Sequence, residues 1–528
     1  MKTFLKKLFT SSYFYFLLYF LIWFVLFRYT DSYTKGYNIT EDYTVVLYTQ
    51  EMNQNSLIET SINYVIKNMD SRARFAPVSD VFRLVLIKIF GTNFTLFTFF
   101  MSLLGVLSSF IFFLSFKKAG FNILLSFLFG ILILSGKYVI SWSDISNFEG
   151  YGMLFLSISF YFCINSSINQ RNTDKLLFLF FMLLTTLSKE NFILLTPALL
   201  LIYLKMYSIR NNVNLMYSFK KNFKFSFLIL LIMILHLSFI KYFVGINKQG
   251  YAGVDFKKIG LNVIPGFVSE LFKYSISYLL FAGIIIVLFY FVFYYKTNPV
   301  YVKKSLNQMI FAFILFILIS FPQYIIHLKT GLMGRYSLIF CMGMNAFLLL
   351  ILWTITDSKY INKYIKIFFV FISFAYAAFE IKTSSVTVLT DFSRFCKSNT
   401  AMINKLNTST NKDLLIVMDP VSHYHFVYSM KMYLNYLDAR KNYSYQFVKA
   451  DNYTPYYRDT AVASDYTKRA FQEYKTFMLD SLSNNENVKE ILLFGGLKEK
   501  FIDMNKFWFK EENFNHEKMG MYNLYSKK

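Results

Sequence analysis

The stretch TTLSKENFILLTP, residues 185–197, sets Lys189 beside Glu190 in a run that is otherwise almost wholly apolar. Residues 176–187 before it and 192–203 after it are each greasy enough for a bilayer. A charge at the bilayer centre costs roughly 2.5–3.5 kcal/mol on insertion scales, and much less at the interface. The pair therefore reads as a turn between two spans. The turn is too short to carry its charges clear of the protein interior, so Lys189 could also face a cavity, as a compact point charge for a phosphate.

The rest of the chain repeats this alternation. Its 528 residues are 55% hydrophobic, 21% aromatic and only 16% charged, with a mean hydropathy of +0.40. A soluble protein of this length carries more charge. Apolar runs near 12–27, 94–115, 120–136, 150–166, 176–188, 191–207, 224–244, 274–294, 308–326, 336–355 and 363–380 predict about eleven spans. The fold class expected is an all-α polytopic membrane protein carrying a C-terminal extracytoplasmic α/β domain.

A net charge of +24 would suggest nucleic acid in a soluble protein. Here much of the excess lies in short loops between apolar runs, so it reports orientation instead. The N-terminal MKTFLKKLF is basic and precedes a long run without a small-residue cleavage site, which predicts an uncleaved first span with its lysines inside. The loops then expected inside hold Lys117 and Lys118, Arg171 and Lys175, Arg210, Lys220, Lys221 and Lys224, Lys296, Lys303 and Lys304, and Lys359, Lys363 and Lys366. Each is basic. The 185–197 turn falls outside, as do the first loop (29–93) and everything after about 381. This predicts a multi-pass protein of the plasma or inner membrane, with a membrane domain at 1–380 and a soluble domain at 381–528.

The soluble region changes period. Residues 413–420, 443–450, 490–496 and 520–526 read as strands, and 426–439, 464–482 and 498–509 as helices. Such alternation argues for a small α/β layer domain. Cys163, Cys341 and Cys396 are scattered, so no disulfide framework or metal cluster is implied. His423 and His425 form an HxH that reads as ordinary surface or strand residues rather than ligands.

The expected outer face collects the chemistry. The first loop carries Glu41–Asp42, helices at about 42–53 and 56–68, and an apolar stretch with sparse charges (79–90) suited to a helix lying in the interface. Glu41–Asp42 fits a helix start, where acids are favoured, and equally a carboxylate general base at the membrane surface. Arg74, in SRARFAPVSD, is a candidate anion contact. Asp144 and Glu149 lie in SWSDISNFEGYG, and Glu149 directly precedes an apolar span. His327, Lys329 and Arg335 lie in HLKTGLMGRYS, just before another. Charges at one depth suit chemistry on a lipid-borne phosphate.

In the order and position of EDY after the first span, RFAP before an amphipathic helix, FEGYG, LSKENFILLTPALLLIY and GRYSL, residues 1–380 resemble the GT-C superfamily of membrane glycosyltransferases. The bacterial arabinose and mannose transferases are most similar in layout. The resemblance implies transfer of a sugar from a polyprenyl-phosphate or diphosphate donor to an acceptor hydroxyl outside the cytoplasm, with inversion. It implies Asp42 or Glu41 as the base. Lys189, Arg335, Arg74 and Lys329 would contact the donor phosphate, and Glu149, Asp144, Glu190 and Tyr336 the substrate. The resemblance fixes no cofactor; carboxylates could hold Mg²⁺ or Mn²⁺. The partners implied are the lipid-linked sugar, a glycan, lipid or protein acceptor, and membrane lipids, but no nucleic acid. Two other classes are weighed. A lipid-linked-glycan flippase or other transporter expects ionisable groups near mid-span, where this chain has few, and a non-catalytic scaffold would bind partners through the soluble domain.

Overall fold

The computed structural model describes residues 11–39, 42–72, 74–244, 260, 263–294, 299–328, 331–332, 334–359, 361–439, 441–449, 468 and 488–528. The chain divides into two compact units. One comprises Met1–Tyr29, Ser61–Arg83 and Thr98–Leu389, the other Thr30–Thr60, Leu84–Phe97 and Thr390–Lys528.

The helices run in chain order α1 Ser12–Tyr29, α2 Tyr43–Gln54, α3 Leu57–Arg72, α4 Pro77–Phe90, α5 Phe94–Lys118, α6 Ile123–Leu134, α7 Phe148–Asn169, α8 Asn172–Ser188 and α9 Thr196–Asn211. They continue as α10 Leu215–Lys221, α11 Phe223–Phe239, α12 Val263–Leu271, α13 Ile276–Tyr294, α14 Pro299–Ile326, α15 Leu338–Asp357, α16 Lys363–Glu380 and α17 Val386–Thr408. Helices α2, α3 and α4 fall where the first loop was expected to be helical.

Among the described residues, nine helical segments are long and apolar enough to cross a membrane. The expected spans at 120–136 and 176–188 form as α6 and α8, of 12 and 17 residues. At 1.5 Å per residue these reach roughly 18 and 26 Å, against a hydrocarbon core of about 30 Å. Each is apolar throughout most of its length but stops early, α6 at Ser135–Gly136 and α8 at Lys189.

Packing ranks these helices. In an apolar 18-residue stretch of Gly334–Asp357, 94% is buried, against 17% in the corresponding stretches of Phe223–Val244 and Lys363–Thr408. Helix α15 is therefore the centre of its unit. Helices such as α11, α13 and α16 turn apolar side chains outward, Phe227, Phe289 and Phe371 among them, as lipid-facing helices do. Helix α15 packs tightly on α14: a Cβ at Gly343 would lie 3.0 Å from Ile319 Cγ2 and overlap the Ser320 hydroxyl. That hydroxyl donates to the Phe340 carbonyl at 3.0 Å. Small residues allow this approach because, in lipid, close packing rather than water exclusion holds helices together.

The second unit is built on a five-stranded sheet of β1 Asp413–Met418, β2 Asn442–Phe447, β3 Glu490–Phe494, β4 Phe514–Met519 and β5 Tyr522–Lys527, ordered β2-β1-β3-β5-β4. Strands β2, β1 and β3 are parallel, and β5 and β4 are antiparallel neighbours. Helices α18 Tyr424–Tyr436 and α19 Lys498–Asn505 follow β1 and β3. The helix expected at 464–482 lies outside the described residues, apart from Lys468. Strand β4 was not expected. Its sequence, FNHEKM, buries only its two ends, as an edge strand can, and it turns into β5 at Gly520 with φ +60°.

Part of the first loop also belongs to this unit. Tyr37, Ile39 and Val46 share its core with the strands. The Tyr37 hydroxyl lies 2.6 Å from the Ser429 hydroxyl, and its ring stacks on Tyr433 at 4.3 Å. The sequence reading assigned these residues to the membrane domain, because three apolar side chains scattered among polar ones carry no period.

Gly343→Leu is expected to cost about 1–3 kcal/mol through overpacking. Its thermal midpoint should fall clearly below that of Gly343→Ala when the purified proteins are melted in detergent.

Candidate functional site

Four helix ends of the first unit meet, because α7 and α8 form one antiparallel pair and α14 and α15 another. Glu149 is the second residue of α7, Lys189 follows α8, His327 follows α14, and Arg335–Tyr336 occupy the short 3-10 turn that enters α15. The break at Lys189 is built from local sequence. Lys189 is extended (φ −164°, ψ 142°), Glu190–Leu195 form a 3-10 turn, and Pro197 restarts the helix in its first turn. Gly152 of α7 makes room for this turn: the ring of Phe192 occupies the space a Cβ would take there.

Lys189 forms an ion pair with Glu149, and the two are 7% and 1% exposed. Its ammonium lies 4.8 Å from the centre of the Tyr336 ring, and the Arg335 guanidinium lies 5.3 Å from the same ring. Both distances suit cation–π attraction. Arg335 also donates to the side-chain oxygen of Asn147, whose amide donates to the Ile140 carbonyl at 2.7 Å. The His327 ring packs on Tyr336 at 4.9 Å.

Burial pushes the His327 imidazole down to about 3, helped by the positive charges of Lys189 and Arg74 and opposed by Glu149. It is therefore neutral across the physiological range. Glu190 does not join this cluster through its carboxylate, which accepts the Phe75 backbone N–H at 2.8 Å. That bond tethers the RFAP segment, and with it Arg74, to the 3-10 turn. Phe75 in turn packs against Phe239 of α11 at 4.7 Å.

Asp144 belongs to a neighbouring buried group. It accepts the Ser146 backbone N–H at 2.8 Å. Arg83 reaches the same loop, donating to the Ser146 hydroxyl at 2.9 Å and to the Tyr64 hydroxyl at 3.2 Å. Asn68 donates to Asp80 at 3.1 Å. Asp42 lies in the second unit, 3% exposed at the start of α2, where its carboxylate accepts the Asn38 N–H at 2.7 Å. Glu41 and Lys329 lie outside the described residues.

Of the residues singled out from sequence, Lys189, Glu149, Arg335 and Tyr336 come together, with Arg74 in electrostatic range. His327, noted in the same short loop as Arg335, joins them. Two further contributors were not in that set. Asn147 has no sequence signal beyond its nearness to Glu149. Gln323 of α14 accepts from the Asn191 side-chain amide at 3.2 Å and donates to the Asn191 backbone carbonyl at 3.0 Å. A glutamine inside an apolar run was its only mark.

A cavity of about 140 Å³ lies elsewhere in this unit, among Tyr138, Tyr274, Asn345, Tyr376 and Glu380. The Ser275 hydroxyl donates to Glu380 there, and the Tyr274 hydroxyl donates to the Leu332 carbonyl at 2.9 Å. Phenol rings beside hydroxyl, amide and carboxylate groups can hold a small polar molecule such as a sugar. Among the described residues no three His, Cys, Asp or Glu side chains gather as a metal ion needs.

No protein-family model matches this chain, and no curated protein matches it in sequence.

Two outcomes are expected. Glu149→Gln leaves a buried ammonium without its carboxylate and should cost about 3–5 kcal/mol; adding Lys189→Met should restore most of the loss in a thermal melt. The second concerns pH. The unfolded chain takes up a proton on His327 near 6.5, and the folded chain only near 3. His327 thus contributes stability above 6.5 that is lost progressively as pH falls toward 3. His327→Gln should flatten the pH dependence of the melting temperature in that window.

Proposed function

We propose that this protein is a membrane glycosyltransferase that moves a sugar from a polyprenyl-phosphate or diphosphate donor to an acceptor hydroxyl on the extracytoplasmic face. The observation that carries the reading is the gathering of Lys189, Arg335 and Tyr336, with Arg74 nearby, at the ends of otherwise apolar helices. A phosphate arriving on a lipid stays at the depth where membrane helices end, and that is where these cations are held.

In this mechanism the donor phosphate pairs with Arg335 and Lys189. Lys189 exchanges part of its bond to Glu149 for the phosphate as the glycosidic C–O bond breaks. Charge builds up on the leaving oxygen, and fixed cations in a water-poor site stabilise it without reorganising. Glu149 keeps the lysine aimed, and Glu190 holds the Arg74 segment through Phe75. Tyr336 offers an aromatic face between the two cations. A phosphate leaving group needs little protonation, so one carboxylate suffices as general base. A carboxylate takes the acceptor's proton as its oxygen attacks the anomeric carbon with inversion, the role that the resemblance gives to Asp42 or Glu41.

The charged groups sit at helix ends rather than at mid-span, which favours an enzyme over a flippase or other transporter. The scaffold reading rests on no observation of its own.

Mass spectrometry of lipid-linked sugars and surface glycans, in cells with and without the protein, tests this directly. Loss should leave an accumulated monosaccharide–lipid and a glycan short of one sugar. Arg335→Ala is expected to lower transfer by about 10²–10³, the effect of removing one charge-stabilising donor. Asp42→Asn or Glu41→Gln should abolish transfer in a protein that still melts cooperatively. Unchanged lipid and glycan profiles would remove the enzyme reading.

A further inference from the structure

A second cavity of the first unit lies apart from the Lys189 cluster. It is a cleft of about 260 Å³ among α5, α7, α9, α14 and α15, walled by side chains such as Phe112, Phe160, Leu199 and Ile319. Its polar lining is confined to Lys205, Lys304, Asn307 and Gln308. Helix geometry gives these residues a depth. Lys205 sets its ammonium against the ring of Phe311, which lies 16 residues before His327, about 24 Å along α14. Lys304 lies 23 residues before His327, about 34 Å away along α14. Trp353, also in the lining, lies 17 residues beyond Tyr336, about 26 Å along α15. The cleft thus opens toward the end of the bundle opposite the Lys189–Glu149 pair. Between Ile319 and Lys304 it runs 15 residues of α14, roughly 22 Å.

We infer that this cleft holds one hydrocarbon chain of a membrane lipid whose phosphate head pairs with Lys205 and Lys304. Three features choose this occupant. The walls are aliphatic and aromatic over most of their length, as a hydrocarbon chain requires. The cleft is elongated, roughly 22 Å along α14 for about 260 Å³, which suits an extended chain rather than a compact ligand. Two lysines and two amides stand at one end, with no acidic residue in the lining, which suits an anionic head of fixed depth. Lys205 packs its ammonium 5.3 Å from the Phe311 ring, holding the cation at the boundary between the apolar wall and the rim. The inference does not rest on glycosyl transfer, since none of these residues belongs to the proposed donor site.

Trp353 supplies the readout. It packs on Phe121 at 4.6 Å and lines the cleft, so a bromine-labelled chain that enters should quench it. Full-length protein in detergent is titrated with lysophosphatidic acid bearing a dibrominated acyl chain, and separately with the same chain on a phosphocholine head. The signal of Trp353 is isolated by subtracting that of Trp353→Phe. The phosphate-headed lipid is expected to reach half-quenching at about tenfold lower concentration, the effect of a pair of charge-assisted bonds at a partly solvated rim. Lys205→Gln with Lys304→Gln should erase the difference between the two heads. Ala198→Phe, which fills the cleft, should erase quenching by both; Ala346→Phe, also in the lining, gives the same readout if the first variant does not fold. Equal quenching by both heads in the unaltered protein, or quenching that survives a filled cleft, would mean annular lipid only and would overturn the inference.

Discussion

A lysine and a glutamate, each shut away from solvent, hold four helix ends together. Taking two charges out of water costs several kcal/mol per ion unless each finds its counter-ion and further polar partners. Lys189 and Glu149 satisfy that requirement only if the end of α8 and the start of α7 lie side by side. The aromatic face of Tyr336, between Lys189 and Arg335, then brings the entry of α15 to the same place. An apolar pair at these positions would stabilise the hairpin as well, but would leave its helices freer to slide. The charged pair fixes where the end of α8 meets the start of α7.

Surrounding contacts transmit that constraint. Glu190, next in sequence to Lys189, reaches a backbone N–H rather than a side chain, so it orders a whole segment and carries Arg74 with it. Gln323 and Asn191 link α14 to the same 3-10 turn through two amide bonds. The three kinds of contact differ in what they resist: the ion pair resists separation, the amide pair resists rotation of α14, and the carboxylate–backbone bond resists drift of the RFAP segment. Together the three contacts suppress all three motions. The apolar cleft along α9, α14 and α15 has the opposite character. Its walls are apolar side chains, and its few polar groups stand at the other end of the bundle.

Much of this was legible in the chain. Apolar runs located the long helices, and the period change after residue 381 located four of the five strands and the helices after β1 and β3, because burial in lipid and burial in a sheet leave different periods. The charged interruption at 189–190 pointed to the site. The partner of Lys189 was less plain: Glu149 was marked by its place before a span, but nothing in a single sequence says which carboxylate, 40 residues away, meets which lysine. Glu190 was read as a substrate contact, yet its bond to Phe75 depends on a segment more than 100 residues earlier. Strand β4 escaped because an edge strand with polar faces has no apolar alternation to display. Tyr37, Ile39 and Val46 escaped for the related reason that three separated residues make no stripe.

Sequence alone determined that this chain is built from apolar helices able to span a bilayer, that their charges lie at their ends, and that an α/β region follows. Each of these is a local property, set by the hydrophobicity and period of a few consecutive turns. Tertiary structure alone decided which ends meet, which charges neutralise one another, that α6 and α8 stop short, and that part of the first loop shares a core with the sheet. Those outcomes depend on pairing across long separations, and the energy of a buried contact belongs to both partners and to neither stretch of sequence by itself.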